Sequence, residues 1–155
     1  MIRRPTLDDI PTILPLAIKF NDEYYHTPLN LEKAILVITY CIEEGVAFIS
    51  DTGFIGGCVV EDLMRDTTIL QEVAWYSEGR DGIALLDAFI KEGHELGVDE
   101  TRASTLETSP AMAGRLLQRK GFAPLELSYR LEMSAWLRSP PSSPSPELPL
   151  PSEAP

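Results

Sequence analysis

Between Glu72 and Gly97 the chain sets a short apolar strand, Val73-Ala74-Trp75-Tyr76, ahead of a tight glycine-bearing loop, Ser77-Glu78-Gly79-Arg80-Asp81-Gly82, and a helix that opens with Ile83-Ala84. A strand feeding a glycine turn at a helix N-terminus leaves backbone N–H groups without partners at the positive end of the helix dipole. Such donors can cradle a diphosphate, and glycine and alanine let its oxygens approach the amides. They also answer a charge problem. The formal net charge is −11, and main-chain donors can hold an anion that an acidic surface would repel. Taken alone, Gly-x-x-Gly-x-Ala fits an ordinary strand-to-helix turn equally well. A Walker A loop is excluded because Gly-Lys-Ser/Thr is absent, and a Rossmann loop because its third glycine and following βαβ unit are missing.

The elements that must position this loop follow from hydrophobic periodicity. Ile2 begins a short strand, and Thr6-Leu7-Asp8-Asp9 supplies caps for a helix carrying Ile10, Ile13, Leu14 and Ala17 on one face. Pro11 and Pro15 mean that this helix either begins close to Pro11 or kinks near Pro15. A second helix spans Leu31 to Glu44, with Ala34, Ile35, Ile38 and Ile42 on one face and Gly45 as its stop. Ala47 to Ser50 and Phe54 to Val60 read as a hairpin about Asp51-Thr52-Gly53, followed by an extended run from Thr67 to Tyr76. The next helix runs from Gly82 to Gly97 with Ile83, Leu86, Phe89 and Ile90 inward. A strand from Thr101 to Leu106, a helix from Pro110 to Lys120 and a last strand close the domain. In that last strand Leu127, Tyr129, Leu131 and Met133 alternate with Glu126, Ser128, Arg130 and Glu132, which predicts one buried face. The order predicts an α/β or α+β sandwich with a mixed sheet.

Composition sets the outer limits. At 155 residues, with 44% hydrophobic and 24% charged, the chain has room for one domain with a substantial core. The expected division is a domain over 1–138 and a disordered Pro/Ser-rich tail over 139–155, too poor in apolar residues to offset its ordering entropy. PxxP matches in that tail arise from its proline content, so a tail-specific partner is not expected. Trp136 is expected to anchor the chain end, and His94 to be exposed. The acidic balance disfavours nucleic acid and anionic membranes and suits a cationic substrate. The absence of a long apolar run or a signal-peptide core predicts a cytoplasmic protein. Cys41 and Cys58 lack metal-ligand spacing and are expected to be reduced core residues, with no metal site.

From Ile2 to Met133 the chain resembles the GNAT acetyltransferases. The opening Ile2-Arg3-Arg4-Pro5-Thr6-Leu7-Asp8-Asp9-Ile10 is similar to that family's first strand and helix. Gly79-Arg80-Asp81-Gly82-Ile83-Ala84 resembles its acetyl-CoA loop, and Arg119-Lys120-Gly121-Phe122 resembles the Gly-Phe after its last helix. The wording around Trp75 is most similar to versions encoded by bacteria and phages, which would put the protein in a host cytoplasm. The resemblance implies a GNAT-like mixed, mostly antiparallel sheet of six to seven strands flanked by about four helices. It implies direct acetyl transfer from acetyl-CoA, as co-substrate, to a primary amine on a small molecule or peptide within a ternary complex, and leaves room for a homodimer.

The resemblance also assigns residues. Gly79 to Ala84 would hold the diphosphate, and Ala74 and Trp75 would contact pantetheine where two parallel strands, Val73 to Tyr76 and Thr101 to Leu106, splay apart. Exposed strand amides there would stabilise the oxyanion. Holding an amine of pKa near 10.4 neutral at pH 7 costs about 4 to 5 kcal/mol, so the site must remove a proton. Glu72 is the expected base, directly or through water, with Tyr76 as its substitute. Tyr24, Tyr25 and His26 would line the acceptor pocket. Two departures stand out: Gly79 occupies a place where the family prefers Gln or Arg, and Leu117 stands where many members carry a thiolate-protonating tyrosine. They leave open a catalytically degenerate module of the same fold.

Overall fold

The computed structural model describes residues 1–25, 27–106, 108–126, 128–130 and 132–133, in two units, Met1–Ala123 and Pro124–Pro155. In the first unit, Asp9 closes the opening turn by accepting from the Thr6 amide at 2.8 Å. Helix α1 (Ile10–Tyr24) follows directly. Pro11 lies in its first turn, where no N–H is needed, and the helix continues through Pro15. Asn30 caps α2 (Leu31–Glu43) by accepting from the Lys33 amide at 3.0 Å. Gly45 follows α2 without a left-handed φ. Its need for glycine is steric, since a Cβ would run into the Gly57 carbonyl oxygen.

Strands β1 (Val46–Ile49), β2 (Gly53–Glu61) and β3 (Thr68–Ser77) form an antiparallel meander, and β4 (Glu100–Arg102) adds in parallel to β3. The crossover helix α3 (Gly82–Leu96) ends at Gly97, whose φ of 72° makes it a left-handed cap. Helix α4 (Ala111–Arg119) follows β4. Phe89, Leu85 and Leu86 of α3 are fully buried against Val46, Ile55 and Leu70, with Leu117 of α4 in the same cluster. The opposite face of the sheet packs Ile49, Phe54 and Tyr76 under Ile13 and Leu16 of α1, with Ile38 and Ile42 of α2 beside them. Each fully buried large side chain contributes about 1.5–3 kcal/mol.

Pairing between β2 and β3 slips by one residue: Gly57 opposes Glu72 while Gly56 opposes Ala74, so Val73 is an unmatched bulge. A Cβ on Gly57 would meet the Phe89 ring at 2.6 Å, whereas one on Gly56 would meet the Cys41 Sγ at 3.4 Å. Glu72 therefore shares the α3 face with Gly57, and Ala74 the α1/α2 face with Gly56.

The mixed, mostly antiparallel sheet agrees with the sequence, but among the described residues it has four strands rather than six to seven. The strand expected at Ile2 reduces to one bridge, with Arg3 and Ile49 exchanging hydrogen bonds of 3.0 and 2.9 Å. Pro5, which has no N–H, bars its extension. The strand expected over Thr101 to Leu106 pairs only at Glu100–Arg102. The described residues of the final alternating stretch adopt no strand, and Tyr129 and Met133 are exposed rather than buried. Leu127 and Leu131 lie outside the described residues, as do Trp136 and 139–155. Alternation names the face a strand would bury but supplies no partner edge. Within the helices, Ile35 and Ile83 are exposed instead of inward, while Leu85 takes a core place not expected of it. Among the described residues no helix is long and apolar enough to cross a membrane.

Two glycines should respond oppositely to alanine. Gly57→Ala should lose about 1–3 kcal/mol in urea unfolding, because the new methyl overpacks against Phe89 and the Gln71 carbonyl. Gly114→Ala, on α4 with nothing within 4 Å of the added carbon, should gain about 0.5–1 kcal/mol. Equal effects at both positions would contradict the bulge packing.

Candidate active site

The loop after β3 is held by its neighbours. The side chain of Asp81, the N-cap of α3, does not accept from the helix amides, although its carbonyl accepts from the Leu85 amide at 2.9 Å. Its Oδ1 turns back toward the β1–β2 turn, accepting from the Thr52 hydroxyl at 2.8 Å and the Ser77 hydroxyl at 2.5 Å. Partial burial would raise this carboxyl, but hydroxyl hydrogen bonds from Ser50, Ser77 and Thr52 outweigh it and hold it down at about 2. Ser77 Oγ in turn accepts from the Gly79 amide at 3.1 Å, and the Glu78 amide donates to the Thr52 carbonyl at 2.9 Å. Gly79 needs to be glycine because a Cβ would collide with the Thr52 hydroxyl.

The amides of Arg80, Gly82, Ile83 and Ala84 have no acceptor among the described residues. Ile83 and Ala84 are exposed, as is Arg80, whose guanidinium pairs with no carboxylate among the described residues. The predicted cradle residues thus stand together, with four donors open and the loop fixed by hydrogen bonds that do not consume them. The Trp75 indole N–H donates to the Gly82 carbonyl at 3.1 Å, and its ring packs against the α3-side core. It pins the helix start.

Beyond Gln71, which pairs with Arg102, β4 ends, and no strand among the described residues covers that edge of β3 from Val73 to Ser77. Glu72 sits at the point of divergence. It is buried, and its Oε2 accepts from the Ser104 amide at 3.1 Å and the Ser104 hydroxyl at 3.3 Å. Burial raises this carboxyl above its ordinary value, while the bonds from Ser104 pull it the other way.

Tyr76 lies on the opposite face. Its hydroxyl donates to Glu23 Oε2 at 3.1 Å, and burial together with that carboxylate pushes it up to about 12. It holds its proton at neutral pH. Tyr24 is the last residue of α1 and Tyr25 its cap, rather than loop residues. Tyr24 stands edge-on to Tyr76 with ring centroids 6.4 Å apart, and Phe20 contacts Tyr24, Tyr25 and Tyr76 at 5.4–5.9 Å. His26 lies outside the described residues. Thr108 ties the segment after β4 to this cluster, donating to the Tyr24 carbonyl at 3.4 Å. The structure therefore joins Tyr24, Tyr25 and Tyr76 but separates Tyr76 from Glu72, because the bulge sends their side chains to opposite faces.

Sequence reasoning missed Glu23, Thr52, Ser77 and Ser104. Their partners lie 53, 29, 4 and 32 residues away, and no local pattern marks them. The bulge did have a sign in the sequence: Gly56-Gly57 inside a strand.

No protein-family model matches the chain, and no curated protein matches it by sequence. Solved structures do. A probable acetyltransferase superposes with a TM-score of 0.67 at 17% identity, covering 85% of this chain and 97% of its own. A ribosomal-protein-alanine N-acetyltransferase from Brucella melitensis biovar Abortus 2308 gives a TM-score of 0.61 at 15% identity, covering 85% and 99%. A point mutant of a Thermus thermophilus protein gives 0.63 at 21%, covering 85% and 97%. At these identities the likeness concerns the fold alone: the chain shares the fold of these solved structures, two of which are named acetyltransferases.

Proposed function

We propose that the chain is an N-acetyltransferase that moves an acetyl group from acetyl-CoA to a primary amine by direct transfer in a ternary complex. The observation that carries the reading is the set of open amides on Arg80, Gly82, Ile83 and Ala84 beside the uncovered edge of β3. These groups fit the co-substrate's diphosphate and extended pantetheine respectively, and Arg80 adds a mobile positive charge. Acetyl-CoA supplies a thioester whose carbonyl carbon the amine nitrogen attacks; the C–N bond forms and the C–S bond breaks with its electron pair on sulphur.

The chain's own residues divide the remaining work by face. Glu23 and the rings of Phe20, Tyr24 and Tyr25 draw in and orient a cationic ammonium. Tyr76 fixes the Glu23 carboxylate by donating to it. Glu72, at the divergence of β3 and β4, takes the ammonium proton through water; its raised pKa brings it nearer the operating pH than an exposed carboxylate would be. Leu117, a buried hydrocarbon side chain, has no proton to give, and the thiolate takes its proton from solvent.

A second reading keeps the fold without turnover, as a binding module. The ionised Asp81 beside the cradle and the apolar Leu117 favour it. It requires that no thiol be released from acetyl-CoA with any amine tested.

Ile83→Pro is the sharpest test of the cradle. The N-cap Asp81 has φ −88° and ψ −4°, and Asp9, the N-cap of α1, has φ −87° and ψ −8° with a proline at the corresponding place, Pro11. Proline is therefore tolerated there and deletes one amide. The affinity for CoA should fall roughly 10- to 100-fold, as for losing one hydrogen bond to a charged group, with the melting temperature nearly unchanged. Unaltered affinity would sink the cradle.

Glu72→Gln should lower kcat/KM by about 10²–10⁴ in a free-thiol assay across amines. A carboxyl raised in the folded state weakens the fold as pH climbs through and above its unfolded value of about 4.3, because the folded chain holds the proton more tightly. The glutamine variant keeps an acceptor for Ser104 without that penalty. Its urea midpoint should match the parent near pH 4 and exceed it near pH 7, so lost activity cannot be ascribed to unfolding. Full activity at all pH values removes Glu72 from the chemistry. Glu23→Gln should raise KM for a cationic amine about fivefold at low salt, as for one exposed ionic contact, and less at high salt. A salt-independent change would assign Glu23 a packing role only.

A further inference from the structure

The α1/α2 face carries a groove that the reading above leaves unused. It lies over β1, β2 and β3 beneath the two helices, lined among others by Ile13, Val37, Ile38, Cys41, Gly56 and Val73, and offers a cavity of about 50 Å³ that opens to solvent. Every lining side chain is apolar or a thiol. Burial pushes the Cys41 thiol up to about 11, so it stays neutral. Water inside has almost no hydrogen-bond partners, and an apolar occupant displaces it favourably.

The groove reaches the bulge. Val73 and Ala74 both line it, and these residues begin the strand edge proposed to take pantetheine. Val73 and Val37 are 48% and 45% exposed, so its rim is open at that end. An aliphatic chain attached to a carbonyl at the bulge passes into the groove without meeting a polar group. The exposed outer residues of α2, Leu36 and Tyr40, do not line it, so the groove is distinct from the surface a second copy of the chain would cover first.

We propose that this groove receives the aliphatic chain of an acyl donor, so that acyl groups longer than acetyl are accepted beside acetyl. The inference rests on the acyl-CoA reading and changes only what the thioester carries. The amine nitrogen bonds to the acyl carbonyl carbon, the C–S bond breaks, the amine's proton passes through solvent to the departing thiolate, and the products are an aliphatic amide and free CoA.

Calorimetric titration of the full chain with CoA, acetyl-, butyryl-, hexanoyl- and octanoyl-CoA tests it. Affinity should climb about fourfold per added methylene, equivalent to about 0.8 kcal/mol, until the groove is full. Val37→Trp, which fills the groove from its exposed rim, should flatten that climb while CoA itself still binds. Equal affinity for all the thioesters, with CoA bound, overturns the inference and leaves the acyltransferase reading intact; failure of CoA itself to bind overturns that reading instead. A climb that Val37→Trp leaves untouched puts the chain elsewhere and overturns the assignment to this groove. A flat profile together with a dimer that Val37→Trp dissociates in sedimentation gives the groove to a second copy, and overturns it as well.

Discussion

The unmatched residue at Val73 is the constraint on which the rest of the site depends. In a strand, side chains alternate faces, so one extra residue exchanges the faces of everything that follows. Before the bulge, Leu70 packs against α3 and Glu72 shares that side; after it, Tyr76 packs against α1. An unslipped ladder would put Glu72 and Tyr76 on one side, with Tyr76 remote from Glu23 and the rings of Phe20 and Tyr24. The slip is accommodated by two adjacent glycines on β2, one admitting Phe89 and the other lying against Cys41. It also falls where β4 stops pairing, so the strand changes faces at the place where its edge becomes uncovered.

The loop beyond the bulge resolves a conflict of charge. An acidic chain that binds a polyanion gains from keeping carboxylates off the contact, yet an ionised aspartate stands at the N-cap of α3. Its geometry removes most of the conflict. Hydroxyls from the β1–β2 turn and from Ser77 draw the carboxylate away from the helix amides, and the Gly79 amide is tied to Ser77 as well. Asp81 thus acts as a tether that sets the loop against the hairpin, while the donors next to it stay open. A loop already fixed this way loses little further freedom when an anion arrives, which favours binding.

Most of the frame was legible in the sequence, for local reasons. Each helix has a capping or stopping residue in the chain, such as Asn30 or Gly97, and an apolar stripe of the right period; the hairpin has its turn residues and the strand before the loop its β-branched and aromatic run. The loop after β3 and the helix start at Gly82 were legible too, since they are contiguous in the chain. The sheet's extent was not. Ile2 and the alternating stretch after Phe122 have strand-like composition, but strands exist only in pairs, and one sequence does not say which edge is open. The helical stripes were misread in part: Ile35 and Ile83 have the right spacing for burial but are exposed, and spacing alone does not say where a helix meets the sheet. The aromatic cluster was only partly legible: Tyr24 and Tyr25 were expected in the loop between the helices but stand at the end of α1, and the hydrogen bond of Glu23 to Tyr76 has no mark in the local sequence.

The division of proton-handling groups between faces has a physical logic of its own. An amine substrate arrives as a cation, and what attracts it is unsuited to deprotonate it. On the proposed reading, an exposed carboxylate such as Glu23 is placed to attract the ammonium. A buried carboxyl resists ionisation and so accepts a proton more readily, but it has little long-range pull. Tyr76 cannot bridge the two roles, because a phenol pushed up to about 12 keeps its proton throughout the physiological range. On the proposed reading, separate residues serve capture and proton removal. The strand slip is compatible with that division, since it places Tyr76, the partner of Glu23, on the α1/α2 face and the buried Glu72 carboxyl at the edge where the strands part.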